Sequence, residues 1–179
     1  KLIKLIRSLI NKGYRVGIHP SYTTFQDKSQ IQFEVKQLQA ITETAVMHSR
    51  QHFLRYRLPE TFRYLLEAGI EHDFTLGMYS TIGFRTGMAV PYPWFDLEKN
   101  ELTALTLSPT LAMDRSLQAY MGLSPEKAME EIHTLVEKVK AVNGTFTLLL
   151  HNDSLSESGE WEGWREGIAR MIGVVLNDD

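Results

Sequence analysis

Thr145-Phe146-Thr147-Leu148-Leu149-Leu150-His151 is the stretch that decides the fold. Its second half is wholly apolar, the pattern of a strand buried on both faces, as in a parallel sheet. It ends on a histidine, and a helix precedes it. Ser124-Pro125-Glu126-Lys127 supplies the start of that helix, with serine as N-cap and proline in the first helical position. Ala128, Ile132, Leu135, Val136 and Val139 form its apolar face, and Asn143-Gly144 ends it.

Working back toward the N-terminus, the same alternation repeats. Leu2, Ile3, Leu5, Ile6, Leu9 and Ile10 recur at helical spacing up to the stop at Gly13. Tyr14 to Pro20 reads as a short strand, and Ile31, Phe33, Val35, Leu38 and Ile41 populate a helix over about 29–44. Ala45 to Ser49 is a strand candidate. Pro59 opens a helix through Phe62, Leu65 and Leu66 that stops at Gly69, and Ile70 to Phe74 is the next strand. Residues 75–101, with three glycines, two prolines and five aromatics, read as a long aromatic loop. Leu102 to Leu107 is a strand, a short segment ends near Asp114, and Glu160 to Leu176 is the last helix. Such an order predicts parallel strands with right-handed crossovers in one domain over 1–179, either a ring of βα units or an open sheet. The dinucleotide fingerprint and the phosphate-binding P-loop are both missing from the sequence.

Composition narrows the function. The 179 residues are 43% hydrophobic and 23% charged, ordinary for a globular chain and unlike a disordered one. A net charge of −3 leaves no footprint for duplex nucleic acid. No apolar run reaches the roughly 20 residues of a membrane span. Lys4, Arg7 and Asn11 interrupt the first apolar run, so it reads as an amphipathic helix rather than a signal peptide. With no cysteine, any transition metal must sit on His, Asp or Glu. The chain opens inside a helix with no strand before it, so the expectation is that a segment upstream has been removed. The open strand edges left behind would invite self-association.

Ligand sites of parallel α/β folds lie at the carboxyl ends of the strands. His19, His52 and His151 all fall there. His19 and His52 belong to successive βα units, whose strands as neighbours would lie about 4.8 Å apart, so both imidazoles could reach one metal at about 2.0–2.1 Å. That reading requires the two rings within about 7 Å of each other. His48 alternates with Arg50 and His52 and could share their side; His72 and His133 read as structural or exposed. Arg50 could orient a carboxylate or bind an anion. Asp73 could hydrogen-bond a site residue or cap its loop. Asp153 reads as a turn residue, and Trp161 and Trp164 as packing. Tyr92, Trp94 and Phe95 could meet an apolar or sugar substrate, or form a local cluster.

Read in order, Val16-Gly17-Ile18-His19-Pro20-Ser21, Ser49-Arg50-Gln51-His52-Phe53, Leu58-Pro59-Glu60-Thr61, Ala68-Gly69-Ile70-Glu71-His72-Asp73, Gly83-Phe84-Arg85 and Leu148-Leu149-Leu150-His151 resemble the polysaccharide deacetylase family. This is the NodB-homology, carbohydrate esterase family 4 type. The resemblance implies a distorted (β/α)7 barrel, incomplete at its N-terminus, and a divalent metal, usually zinc, that serves removal of acetyl groups from N-acetylated sugars or related amides. It implies His19 as a metal ligand, Arg50 as the arginine that braces the base, and His151 as the acid to the leaving amine. His52 is expected as the second metal ligand, because Thr23 stands where the family has its second histidine. The family's two aspartates lie on a strand with no counterpart before His19, so the fragment alone is expected to be inactive. Asp73, Arg85, Tyr92 and Trp94 are the candidate substrate contacts. The expected partner is a glycan or small amide, with no nucleic acid. Two other readings stay open: a non-catalytic carbohydrate-binding scaffold, and a metal-independent hydrolase that pairs Asp73 with His151.

Overall fold

The computed structural model describes residues 1–176. The described residues divide into two compact units, one of residues 1–75 and 92–108, the other of residues 76–91 and 109–176.

The first unit is built on a four-stranded sheet in the order β1-β2-β4-β3. Its strands are β1 (His48–Ser49), β2 (His72–Asp73), β3 (Tyr92–Asp96) and β4 (Glu101–Leu107). β1, β2 and β4 are parallel, as the alternation predicts. Helices α1 (Leu2–Asn11), α2 (Lys28–Thr42) and α3 (Glu60–Glu67) connect or flank them. α2 starts where Asp27 accepts the Gln30 N–H at 3.0 Å. The expected strand at Tyr14 to Pro20 shrinks to a single parallel bridge between Ile18 and Ser49.

The expected loop over residues 75–101 is corrected by β3, which runs antiparallel to β4. Two prolines and several aromatics disguise it in the sequence. Prolines are tolerated in a strand at the margin of a sheet, and β3 is the outermost strand of this one. Its burial alternates, with Trp94 and Asp96 inward. Trp94 packs edge-on against Phe62 at 5.4 Å. Asp96 takes both arms of Arg63 at 2.6 and 2.8 Å and accepts the Glu98 and Lys99 N–H groups, which shapes the turn into β4.

The second unit pairs β5 (Ala112–Met113) with β6 (Leu148–Leu149), again parallel. Its helices are α4 (Pro125–Lys140) and α5 (Arg165–Leu176). Ser124 caps α4 by accepting the Lys127 N–H, and the five apolar residues read from the sequence are its buried face. Ala128, Ile132 and Val136 pack with Trp161, Trp164, Ile168 and Met171, whereas Leu135 and Val139 pack with Leu111. The predicted helix from Glu160 breaks into a 3-10 turn at Gly159–Trp161 before α5 begins. Gly163, at φ 78°, sits at that break. Among the described residues the ladders make one four-stranded and one two-stranded sheet, and neither closes on itself. No described helix is long and apolar enough to cross a membrane.

Candidate functional site

The first unit carries paired histidines, and the second carries a histidine held by an aspartate. In the first, Gly17 decides the geometry. A Cβ there would stand 2.7 Å from the His48 carbonyl oxygen, so only glycine lets this segment lie against β1. Ile18 N–H donates to His48 O at 2.8 Å, and Arg50 N–H donates to Ile18 O at 3.0 Å. One residue on, His19 Nδ1 donates to the Arg50 carbonyl at 2.8 Å. A carbonyl only accepts, so Nδ1 holds the proton and the Nε2 of the neutral ring offers a lone pair. His52 Nδ1 lies 2.9 Å from that Nε2, with ring centroids 4.8 Å apart.

A ring nitrogen tied to a backbone carbonyl while the other is presented is the usual hold on a metal-binding histidine. Two nitrogens each about 2.0–2.1 Å from a tetrahedral zinc stand about 3.3–3.4 Å apart, so the 2.9 Å contact is a hydrogen bond in which His52 Nδ1 donates to His19 Nε2. The imidazole pair would take two ligand positions of a zinc ion once His52 Nδ1 gives up its proton and the nitrogens part by about half an ångström. Among the described residues no group of three His, Cys, Asp or Glu side chains gathers to hold one. The pair does not by itself complete a site.

His48 is placed elsewhere. It stacks on His72, its register partner on β2, at 5.0 Å and 13°. Burial, then the charge of His72, holds the His48 pKa below its ordinary value.

Arg50 lies over the Phe74 ring at 5.8 Å. Burial pulls its pKa down, and the nearby Asp73 carboxylate opposes that. Asp73 is only 1% exposed. Its oxygens accept from the Ser49 hydroxyl at 2.6 Å and from the Thr75 N–H and hydroxyl at 2.9 Å each. Burial pushes its pKa up, against these three donors and the charge of Arg50. Thr75 Oγ1 in turn accepts the Gln51 N–H at 3.0 Å. Asp73 thus braces the segment from Ser49 to Gln51. Trp94 is in the core, Tyr92 is half-buried at the start of β3, and Arg85, in the second unit, donates to the Gly77 carbonyl at 2.7 Å.

In the second unit β5 and β6 run side by side with Met113 opposite Leu149. Asp114 follows directly on β5, and His151 comes two residues after β6. His151 Nδ1 donates to Asp114 Oδ1 at 2.7 Å, and its backbone N–H donates to Oδ2 at 2.6 Å. Burial acts upward on Asp114, but the hydrogen bonds from His151 outweigh it and hold the carboxyl below its ordinary value. The same bond raises the His151 pKa above 6.5, against partial burial. Ser154 Oγ fixes the turn by donating to the His151 carbonyl at 2.6 Å. The guanidinium of Arg115 lies over the Trp161 ring and pairs with Glu160 at 2.6 Å and Asp153 at 3.6 Å. The sequence reading passed over Asp114. The one signal available was an acidic residue at the end of a strand candidate. The carboxylate on His151 is Asp114, whereas Asp73 accepts from Ser49 and Thr75.

These elements define a mixed α/β fold, and solved structures share it. One is a candidate polysaccharide deacetylase from Mycobacterium smegmatis, with 18% identity and a TM-score of 0.70 over 98% of this chain. Another is Puue allantoinase, with 13% identity and a TM-score of 0.68 over 96% of this chain. A GH57 branching enzyme from Thermococcus kodakaraensis follows at 14% identity and a TM-score of 0.56. The chain spans 62%, 56% and 46% of the lengths of these three. No family model and no curated protein matches the sequence.

Proposed function

We propose that the chain is part of a metal-dependent hydrolase with a distorted (β/α)7 barrel that removes acetyl groups from N-acetylated sugars or related amides. The single observation that carries this reading is the meeting of His19 Nε2 and His52 Nδ1 at 2.9 Å, with the other nitrogen of His19 tied to a backbone carbonyl. The fold shared with a deacetylase and an allantoinase supports it.

His19 and His52 would hold the ion, together with a further donor that the resemblance assigns to an aspartate. When bound, a divalent ion polarises the amide carbonyl and makes water a better nucleophile. Arg50, whose carbonyl holds His19, is the arginine that the resemblance assigns to bracing a carboxylate base. In the net reaction the water oxygen bonds to the carbonyl carbon, the C–N bond breaks, and acetate and an amine leave. The resemblance assigns to His151, held by Asp114 and therefore more readily protonated, the role of acid to the departing amine.

Zinc titration and acetate release by the full-length protein on N-acetylglucosamine oligomers test the reading. Stoichiometric zinc binding that weakens in His19→Ala and His52→Ala, together with acetate release, is expected. Sugar binding with neither metal nor acetate would turn the reading into the non-catalytic scaffold.

A further inference from the structure

Beside the imidazole pair stand two aromatic side chains that the core does not use. Tyr22 is 51% exposed and Phe53 is 64% exposed. Their rings meet edge to face at 5.5 Å and 89°. Both also border His52, Tyr22 at 6.2 Å and Phe53 at 4.9 Å between centroids. Burial explains neither position.

The backbone goes to some length to hold them there. Phe53 and Leu54 have φ of 56° and 53°, the left-handed region that non-glycine residues seldom adopt. Leu54 is buried and anchors the turn, while Phe53 is turned outward. Such strain persists where the surroundings over-determine it, and it concentrates at ligand sites. Tyr22 is fixed from one side. The Arg55 guanidinium lies 4.1 Å from its ring centroid and 4.2 Å from that of Phe25, so it is clamped between the two rings. The result is a rigid, solvent-facing aromatic corner beside two imidazole nitrogens.

We propose that Tyr22 and Phe53 form a platform for the flat face of a pyranose ring, which presents that sugar's N-acetyl group to His19 and His52. The electron-rich faces of the aromatic rings attract the polarised C–H bonds of a sugar face. The inference rests on the hydrolase reading for the identity of the reacting group, and on geometry alone for the platform.

The test measures binding of N-acetylglucosamine tetramer by calorimetry, in parallel with zinc binding and acetate release, on the full-length protein. Tyr22→Leu and Phe53→Asn each remove a ring, and asparagine tolerates the left-handed backbone. Each is expected to bind the tetramer about tenfold more weakly, a loss within the range of one aromatic contact. Tyr22→Phe, which keeps the ring, is expected to bind as the wild type does, and zinc binding is expected to be unchanged in all three. Undiminished tetramer binding in Tyr22→Leu and Phe53→Asn, or no tetramer binding by the wild type, would overturn the platform. Ring-dependent tetramer binding without acetate release would keep the platform and overturn the hydrolase reading instead.

Discussion

Asp114 holds His151 twice, through the imidazole at 2.7 Å and through the backbone N–H at 2.6 Å. The second bond matters as much as the first. It locks the residue to the end of β5, so that the ring nitrogen facing away from Asp114 has a fixed direction. The first bond settles the tautomer, since Nδ1 carries the proton and Nε2 is the nitrogen left to exchange one.

Asp114→Asn is therefore expected to lower the His151 pKa toward 6.5, read by NMR titration of the imidazole. Asp114→Ala leaves the backbone N–H of His151 without its acceptor. It is expected to cost about 1–3 kcal/mol of stability in urea denaturation, the usual loss for an orphaned buried group. An unchanged His151 titration in Asp114→Asn would refute the coupling.

The pair also fixes a pH dependence. Asp114 raises the pKa of His151, so the stability His151 contributes is complete below about pH 6.5 and is lost as pH rises through its higher folded value. The pKa of Asp114 is depressed, so its contribution is present above about pH 3.8 and is lost as pH falls through its lower folded value. Between these limits the pair contributes most. His151→Gln is expected to destabilise the protein more at pH 5.5 than at pH 8.5 in parallel urea melts, and an equal loss at both would count against the coupling.

For chemistry, His151→Ala is expected to lower acetate release by about 10²–10⁴-fold, the range for a lost general acid. Zinc binding should be unaffected, because the ligands proposed for zinc are His19 and His52. A His151→Ala protein with full activity would remove the residue from the reaction.

Gly17→Ala tests the frame of the imidazole pair. Its new Cβ meets the His48 carbonyl oxygen at 2.7 Å, backbone that cannot swing aside. The expected cost is about 1–3 kcal/mol in thermal or urea unfolding, as for other overpacked positions. Zinc binding is expected to weaken with it, because Ile18 can no longer bridge Ser49 and hold His19 beside Arg50. A variant as stable as the wild type, with unchanged zinc affinity, would show that the segment adjusts.

What could be read from the sequence was what repeats locally. The α4 face from Ala128 to Val139 follows from 3.6-residue spacing, and its start follows from Ser124 and Pro125. The parallel order of β1, β2 and β4 follows from their alternation with helices. His19, His52 and His151 could be placed at strand ends by the same logic. What escaped depended on partners far along the chain. Asp114 is 37 residues from His151, and no spacing rule links them. β3 escaped because prolines and aromatics mask a two-residue period that only pairing with β4 makes visible. Phe53 looked unremarkable because a left-handed backbone leaves no mark on an aromatic residue's identity.

The place of Pro93 in β3 bears on how the protein behaves when crowded. β3 is the last rung-bearing strand on its side of the first sheet, and Leu97 and Leu102 lie exposed around its turn. Such a margin would ordinarily be adhesive to any extended polypeptide that drifted alongside. Pro93 has no amide hydrogen to offer, so a newcomer meets a ladder with a missing rung and gains less by staying.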